Sequence, residues 1–128
     1  MSELRLEIPM IPPSGNHYKT YKIVYTAAGA FAQWYLTKEA KDFYGCVEMV
    51  AGGRFISGPS LEISFIVFLP AGRRYDVDNY PKCILDSLKH SSVIRDDIDV
   101  DDLHCHRRRD PANPRTVIIV KSAQGQLL

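Results

Sequence analysis

The sequence predicts an α+β domain in which two main helices pack on a mixed β-sheet, in the order β-α-β-α-β-β. Three observations carry this. Apolar residues alternate with others over residues 3–8 and again from residue 61, the two-residue period of strands. Between these stretches they recur at four- and three-residue steps from Ala32 to Val50, the period of a helix. With 128 residues, 45% apolar and 24% charged, the chain has the size and composition of one folded domain.

Leu4, Leu6 and Ile8 alternate with Glu3, Arg5 and Glu7, so the first element is a half-buried strand. Pro9 and the cluster Pro12-Pro13-Ser14-Gly15-Asn16 end it, and residues 11–25 are predicted as a loop. Tyr18, Lys19, Tyr21, Lys22 and Tyr25 follow one another there. Such a loop either covers a phosphate chain and stacks on bases, or packs its tyrosines onto the domain. Thr26 is the predicted cap of a helix reaching about Val50 along Ala32, Leu36, Ala40, Phe43 and Val47, with Gly52-Gly53 as its stop. Trp34 and Tyr35 widen its apolar stripe.

Residues 61–69 begin two-faced and become apolar on both faces, which places this strand centrally. A second helix is predicted from near Tyr80 to Lys89, with Pro81 in its first turn, where a missing N–H costs nothing. Ile84, Leu85 and Leu88 form its buried face. A strand from about Val100 to Arg108, a turn at Asp110–Pro114 and a strand from Thr116 to Lys121 complete the domain. Residues after Ser122 read as a frayed tail. There is no internal repeat or linker, so residues 1–128 are read as a single domain.

The net charge of +1 conceals an uneven layout. Nine of ten aspartates lie between Asp76 and Asp110, five of them within Asp96–Asp102, while basic residues lead acidic ones ten to six elsewhere. That pattern is unlike a simple polyanion binder and suits a protein that gathers carboxylates around a cation. No apolar run approaches the roughly 20 residues that cross a bilayer. The first residues lack a signal-peptide core, so a cytoplasmic protein is expected. Three cysteines, Cys46, Cys83 and Cys105, are too few for a disulfide scaffold.

The chemistry concentrates in Arg73-Arg74-Tyr75-Asp76-Val77-Asp78-Asn79-Tyr80-Pro81-Lys82. In an extended segment Asp76 and Asp78 point the same way, and their carboxylates repel unless a cation lies between them. All-oxygen donors favour Mg²⁺ or Mn²⁺ over zinc. The bland alternative, Asp78 as a helix cap, explains one aspartate but neither the second nor the arginines. Lys82, in the first turn of a helix, needs an acidic neighbour. Either it pairs with Asp78 in an ordinary i,i+4 contact, or its ammonium stands beside the metal. Asp86 is expected to face solvent or Lys82.

A strand–helix–turn path is expected to return Asp96-Asp97 to the end of the central strand, where one of the two completes a three-carboxylate cluster. Asp97-x-Asp99-x-Asp101 opens like a calcium-binding EF-hand loop, but Asp102 stands where glycine is needed and Arg108 where glutamate is needed. Most of these aspartates are therefore read as solvated turn residues. His104 and His106 share a strand face beside Cys105, a zinc reading that lacks its remaining ligands. Arg107, Arg108 and Arg109 either contact phosphates or form a solvated strand end.

Pro12-Pro13-Ser14-x-Asn16-x-Tyr18, Arg73-Arg74-x-Asp76-x-Asp78-Asn79-x-x-Lys82, Asp86-x-Leu88 and Asp96-Asp97 together resemble the RusA family of Holliday junction resolvases, small homodimeric endonucleases encoded by bacteria and phages. The resemblance implies Mg²⁺-dependent cutting of four-way junction DNA by paired nicks, with Mn²⁺ as a substitute. It implies Asp76, Asp78 and Asp97 as metal-binding catalytic carboxylates, Lys82 as the catalytic lysine, and Asn79 beside them. DNA contacts are expected from Asn16, Tyr18, Lys19, Lys22, Arg73, Arg74, Asn79 and Arg107–Arg109. The sequence departs from the pattern at Pro81, at His17 and Lys19, and in the extra Asp99 and Asp101. Two rivals stand beside this reading: a related nuclease acting on flaps or forks, and a non-catalytic binder of DNA structures.

Overall fold

A computed structural model of the chain describes residues 3–13, 18–72 and 80–122. The expected class holds: a small α+β domain with a mixed sheet and two main helices. The four-stranded sheet has the order β1-β6-β4-β5, from β1 (Glu3–Ile8), β4 (Leu61–Leu69), β5 (Val100–Arg109) and β6 (Arg115–Ser122). A separate two-stranded sheet pairs β2 (Lys19–Thr26) with β3 (Gly29–Leu36). The helices are α1 (Lys38–Ala51) and α2 (Pro81–His90).

β4 is central, as its apolar run predicts. It lies antiparallel to β6 and parallel to β5. Leu61, Ile63, Phe65, Val67 and Leu69 are buried, while Glu62, Ser64, Ile66 and Phe68 on the other face are half-covered. Leu4, Leu6 and Ile8 of β1 join the buried face. α1 contributes Ala40, Phe43 and Val47, and α2 contributes Cys83, Ile84 and Leu88. β5 is the edge strand, and its Asp101, Asp102, Arg107 and Arg108 keep that open edge soluble.

The predicted helix from Thr26 is corrected, and with it the predicted loop over residues 11–25. Lys19–Leu36 is a hairpin that turns at Ala27-Ala28, with Gly29 at φ +126°, a conformation costly to any residue with a Cβ. The composition explains this outcome. Tyr21, Ile23, Val24, Tyr25, Phe31, Trp34 and Tyr35 are β-branched or aromatic and favour strands. Trp34 and Tyr35 consequently lie exposed on the hairpin instead of widening a helical stripe. The true cap is Thr37, whose Oγ1 accepts from Ala40 N–H at 3.2 Å. Gly52 ends the helix as expected, in the left-handed region, donating to Glu48 O at 3.1 Å.

The path after α2 brings a second correction. Parallel pairing sets Val100 beside Leu61 and Arg109 beside Leu69. α2 therefore carries the chain back to the start of β4, and the 3-10 turn Asp97–Asp99 sits there, not at the strand's end. A crossover between parallel strands always returns to the end where the first strand began. The tail after Ser122 lies outside the described residues.

Candidate active site

Tyr18, Tyr44, Lys82 and Asp86 form a connected polar network where the hairpin base meets α1 and α2. Asp86 stands one turn after Lys82 and accepts from its ammonium, Nζ to Oδ1 at 3.3 Å. The other carboxylate oxygen, Oδ2, accepts from the Tyr18 hydroxyl, which in turn accepts from that of Tyr44. Of the two expected placements, solvent or Lys82, the structure shows the second, and the Asp86 side chain is only 14% exposed. A carboxylate so enclosed needs such donors. Burial, then the bond to Asp86, pushes the Tyr18 hydroxyl well above its ordinary range, and burial pushes Tyr44 up to about 12. Both stay protonated donors at neutral pH.

Tyr18 was expected on the DNA. It is buried instead, because the hairpin starts at its C-terminal side and the carbonyl of Tyr18 accepts from Thr37 N–H at 3.1 Å and Thr37 Oγ1 at 3.2 Å. That clamp closes the hairpin base. A recess of about 270 Å³ opens there, lined by Tyr18, Lys19, Trp34, Tyr44 and Asp86 among others. Lys19 and Lys22 are exposed, with their ammonium groups 5.3 Å from the Tyr18 ring and 6.0 Å from the Tyr35 ring.

The aspartates of residues 96–102 divide by role: Asp101 and Asp102 are exposed, as expected of solvated residues, and the others are partly or wholly covered. Asp96 caps the 3-10 turn, accepting from Ile98 N–H at 3.2 Å. Interaction with the neighbouring Asp97 side chain, then the hydrogen bond from Ile98 N–H, lowers the Asp96 carboxyl below its usual range. Asp99 is buried and takes both Arg95 nitrogens, at 2.7 and 3.1 Å. Asp101 accepts from Ser60 Oγ. Asp97 has a lysine contact at the limit of an ion pair, 4.0 Å to Lys89 Nζ, and its side chain is 38% exposed. Its carboxylate oxygens are partly accessible and are the hard donor type that Mg²⁺ or Mn²⁺ takes.

Lys82 and Asp97 flank α2, the first at its N-terminal turn and the second beside Lys89 in its last turn. Seven residues of helix separate those lysines, a rise of about 10 Å. Arg107, Arg108 and Arg109 finish β5 beside Val67, Phe68 and Leu69, at the sheet end from which the chain leaves β4. Asn16, Arg73, Arg74, Asp76, Asp78 and Asn79 lie outside the described residues. Among the described residues no group of three His, Cys, Asp or Glu gathers to hold a metal ion. His104 instead faces Glu62 at 3.7 Å.

Sequence reasoning missed the roles of Tyr18 and Tyr44, because the network joins three elements far apart in the chain. The available signal was Asp86, one turn after Lys82 on a helix whose apolar face is one residue away.

An ammonium braced by a partly buried carboxylate, an accessible aspartate beside a basic helix end and a rank of arginines at the opposite sheet end are residue types suited to a phosphodiester substrate. The chain belongs to the RusA endodeoxyribonuclease family, whose model matches residues 10–121, most of its length. It is thus an endodeoxyribonuclease of the crossover-junction type. No curated protein matches it. Among the described residues no helix is long and apolar enough to cross a membrane.

Proposed function

We propose that this protein is a Mg²⁺-dependent nuclease that resolves four-way DNA junctions in recombination and repair, working as a homodimer that makes paired symmetric nicks. The observation that carries the reading is the anchored lysine: Lys82 is fixed by Asp86, Asp86 by the buried Tyr18, and Tyr18 by Tyr44. A structural surface lysine needs no such support. Asp76, Asp78 and Asp97 would hold the cation. When bound, Mg²⁺ supplies Lewis acidity towards a phosphate oxygen and lowers the pKa of a water.

The chain's own residues supply the rest. Lys82 places a positive charge where negative charge builds on the scissile phosphate, and its Asp86 tether reduces the reorganisation this requires. Lys19, Lys22, Arg73, Arg74 and Arg107–Arg109 neutralise the DNA backbone, so affinity falls steeply with added salt. A two-fold pair presents two sites to two symmetric strands. The parallel β4–β5 topology favours a site in which Asp97 meets the Asp76 and Asp78 of a second copy, because α2 carries Asp97 away from Lys82 of its own chain.

The test is cleavage of a synthetic four-way junction, alongside flap, fork and linear duplex, with and without Mg²⁺. Junction-selective paired nicks that require Mg²⁺ are expected. Asp76→Asn should abolish cutting while leaving junction binding intact, and full activity in that variant removes the metal assignment. Mixing Asp76→Asn with Asp97→Asn chains should restore single nicks if sites are shared between copies. No activity in the mixture places all three carboxylates in one chain.

A further inference from the structure

We propose that the apolar face of the β2–β3 hairpin docks against the same face of a second copy of this chain. The register sorts the hairpin's residues by face. Tyr21 lies opposite Trp34, Ile23 opposite Ala32 and Tyr25 opposite Ala30, with Lys19 and Leu36 at the base. Directly paired residues share a face, so this side is apolar throughout except for Lys19. The opposite side interleaves Thr20, Lys22 and Gln33 with Tyr35, Val24 and Phe31. One apolar and one mixed face is the pattern of a sheet covered on one side.

Among the described residues nothing covers its outer part. Tyr25 is 80% exposed and Trp34 65%, and Tyr21 and Ile23 are exposed beside them. Tyr21 and Trp34 rings lie 5.1 Å apart in a tilted pair, forming one continuous surface. A lone two-stranded hairpin is marginal in water, and monomeric proteins seldom leave a patch this large uncovered. Three rings and an isoleucine expose on the order of 500 Å² of apolar surface per copy. Two copies bury roughly 1,000 Å² between them, at the lower bound for a biological interface. Tryptophan and tyrosine are also the side chains that dominate such contacts.

The chemistry selects a second copy over DNA. Ile23, Ala30 and Ala32 offer neither a ring to stack on a base nor a hydrogen bond to its edge. A phosphate backbone needs a row of cations, and this face carries Lys19 alone, at its base, while Lys22 stands on the other face, over Tyr35. A flat apolar ribbon is complementary to itself across a two-fold axis. The inference deepens the paired-nick reading by naming the contact that joins the copies, and rests on that reading only for its biological use.

Trp34 is the chain's single tryptophan, so its fluorescence reports this face alone. The experiment follows Trp34 emission and acrylamide quenching during dilution of the whole protein, with sedimentation in parallel and no DNA or metal present. The expected species is a dimer of about 29 kDa, twice the chain's 14.5 kDa. Its emission should be blue-shifted and protected from quencher, with both signals lost together on dissociation. Tyr25→Asp and Ile23→Asp should each raise the dissociation constant roughly tenfold or more with unchanged circular dichroism. The wild-type quenching result stands even if a variant misfolds. A dimer whose Trp34 stays open to quencher overturns the proposal, as does a monomer whose emission changes only when junction DNA is added. Neither signal depends on cleavage, so an inactive but normally dimeric protein would count against the nuclease reading and not against this contact.

Discussion

The β4–α2–β5 unit and the β2–β3 hairpin are both read out by alternating residues, yet they differ in what the alternation meets. In β4 every second side chain is buried beneath α1 and α2. In the hairpin an equally apolar face meets the helices only at its base, and beyond that the described residues leave its large side chains exposed. The same local pattern therefore supplies stability in one place and a contact surface in the other. The polar network at Asp86 lies between them, clamping the hairpin base to the helix that carries Lys82.

The largest effect that tests this division is on stability. Phe43→Ala in the core should cost about 3–5 kcal/mol in urea unfolding, while Phe31→Ala on the mixed face of the hairpin should stay within about 0.5 kcal/mol. Comparable losses at both positions would break the comparison. At the junction between the regions, Asp86→Asn should lower kcat about 100-fold with KM little changed, because Lys82 loses its tether. Asp86→Glu should recover part of the rate, which a purely structural role would not predict. Tyr18→Phe removes a donor from an enclosed carboxylate and should cost about 1–3 kcal/mol of stability.

The smallest effect is alkaline. Burial, with the Asp86 charge adding to it, pushes the Cys83 thiol up to about 12 from 9.0, and burial pushes Tyr44 up to about 12 from 10.0. A pKa raised on folding gives stability that is complete below the unfolded value and is lost as pH rises through the folded one. The urea midpoint should therefore hold from pH 7 to about pH 9 and decline from there towards pH 12. Cys83→Ala should flatten the first part of that decline.

Strands β1, β4, β5 and β6 and helix α2 were legible because each pattern is decided locally, by alternation, by Pro81 at a helix start, or by Pro and Gly breaks. The hairpin was not. Ala32 and Leu36 lie in helical register with Ala40 and Phe43, so the period of α1 extends backwards into β3 by coincidence. Alanine suits either state, and the aromatic and β-branched residues between were the opposing signal. The Lys82–Asp86 pairing was legible from its one-turn spacing, while Asp76 and Asp78 lie outside the described residues. The buried state of Tyr18 and the division of labour among Asp96, Asp97, Asp99 and Asp101 depend on Thr37, Ser60 and Arg95, which only the fold brings to them.

The most direct measurement is junction cleavage by Asp97→Asn in Mg²⁺, with junction binding measured on the same samples. Among the aspartates of the 3-10 turn, Asp97 is the one proposed to hold the cation. The account predicts a rate loss of about 1,000-fold or more with binding preserved. Cutting at the wild-type rate would contradict it.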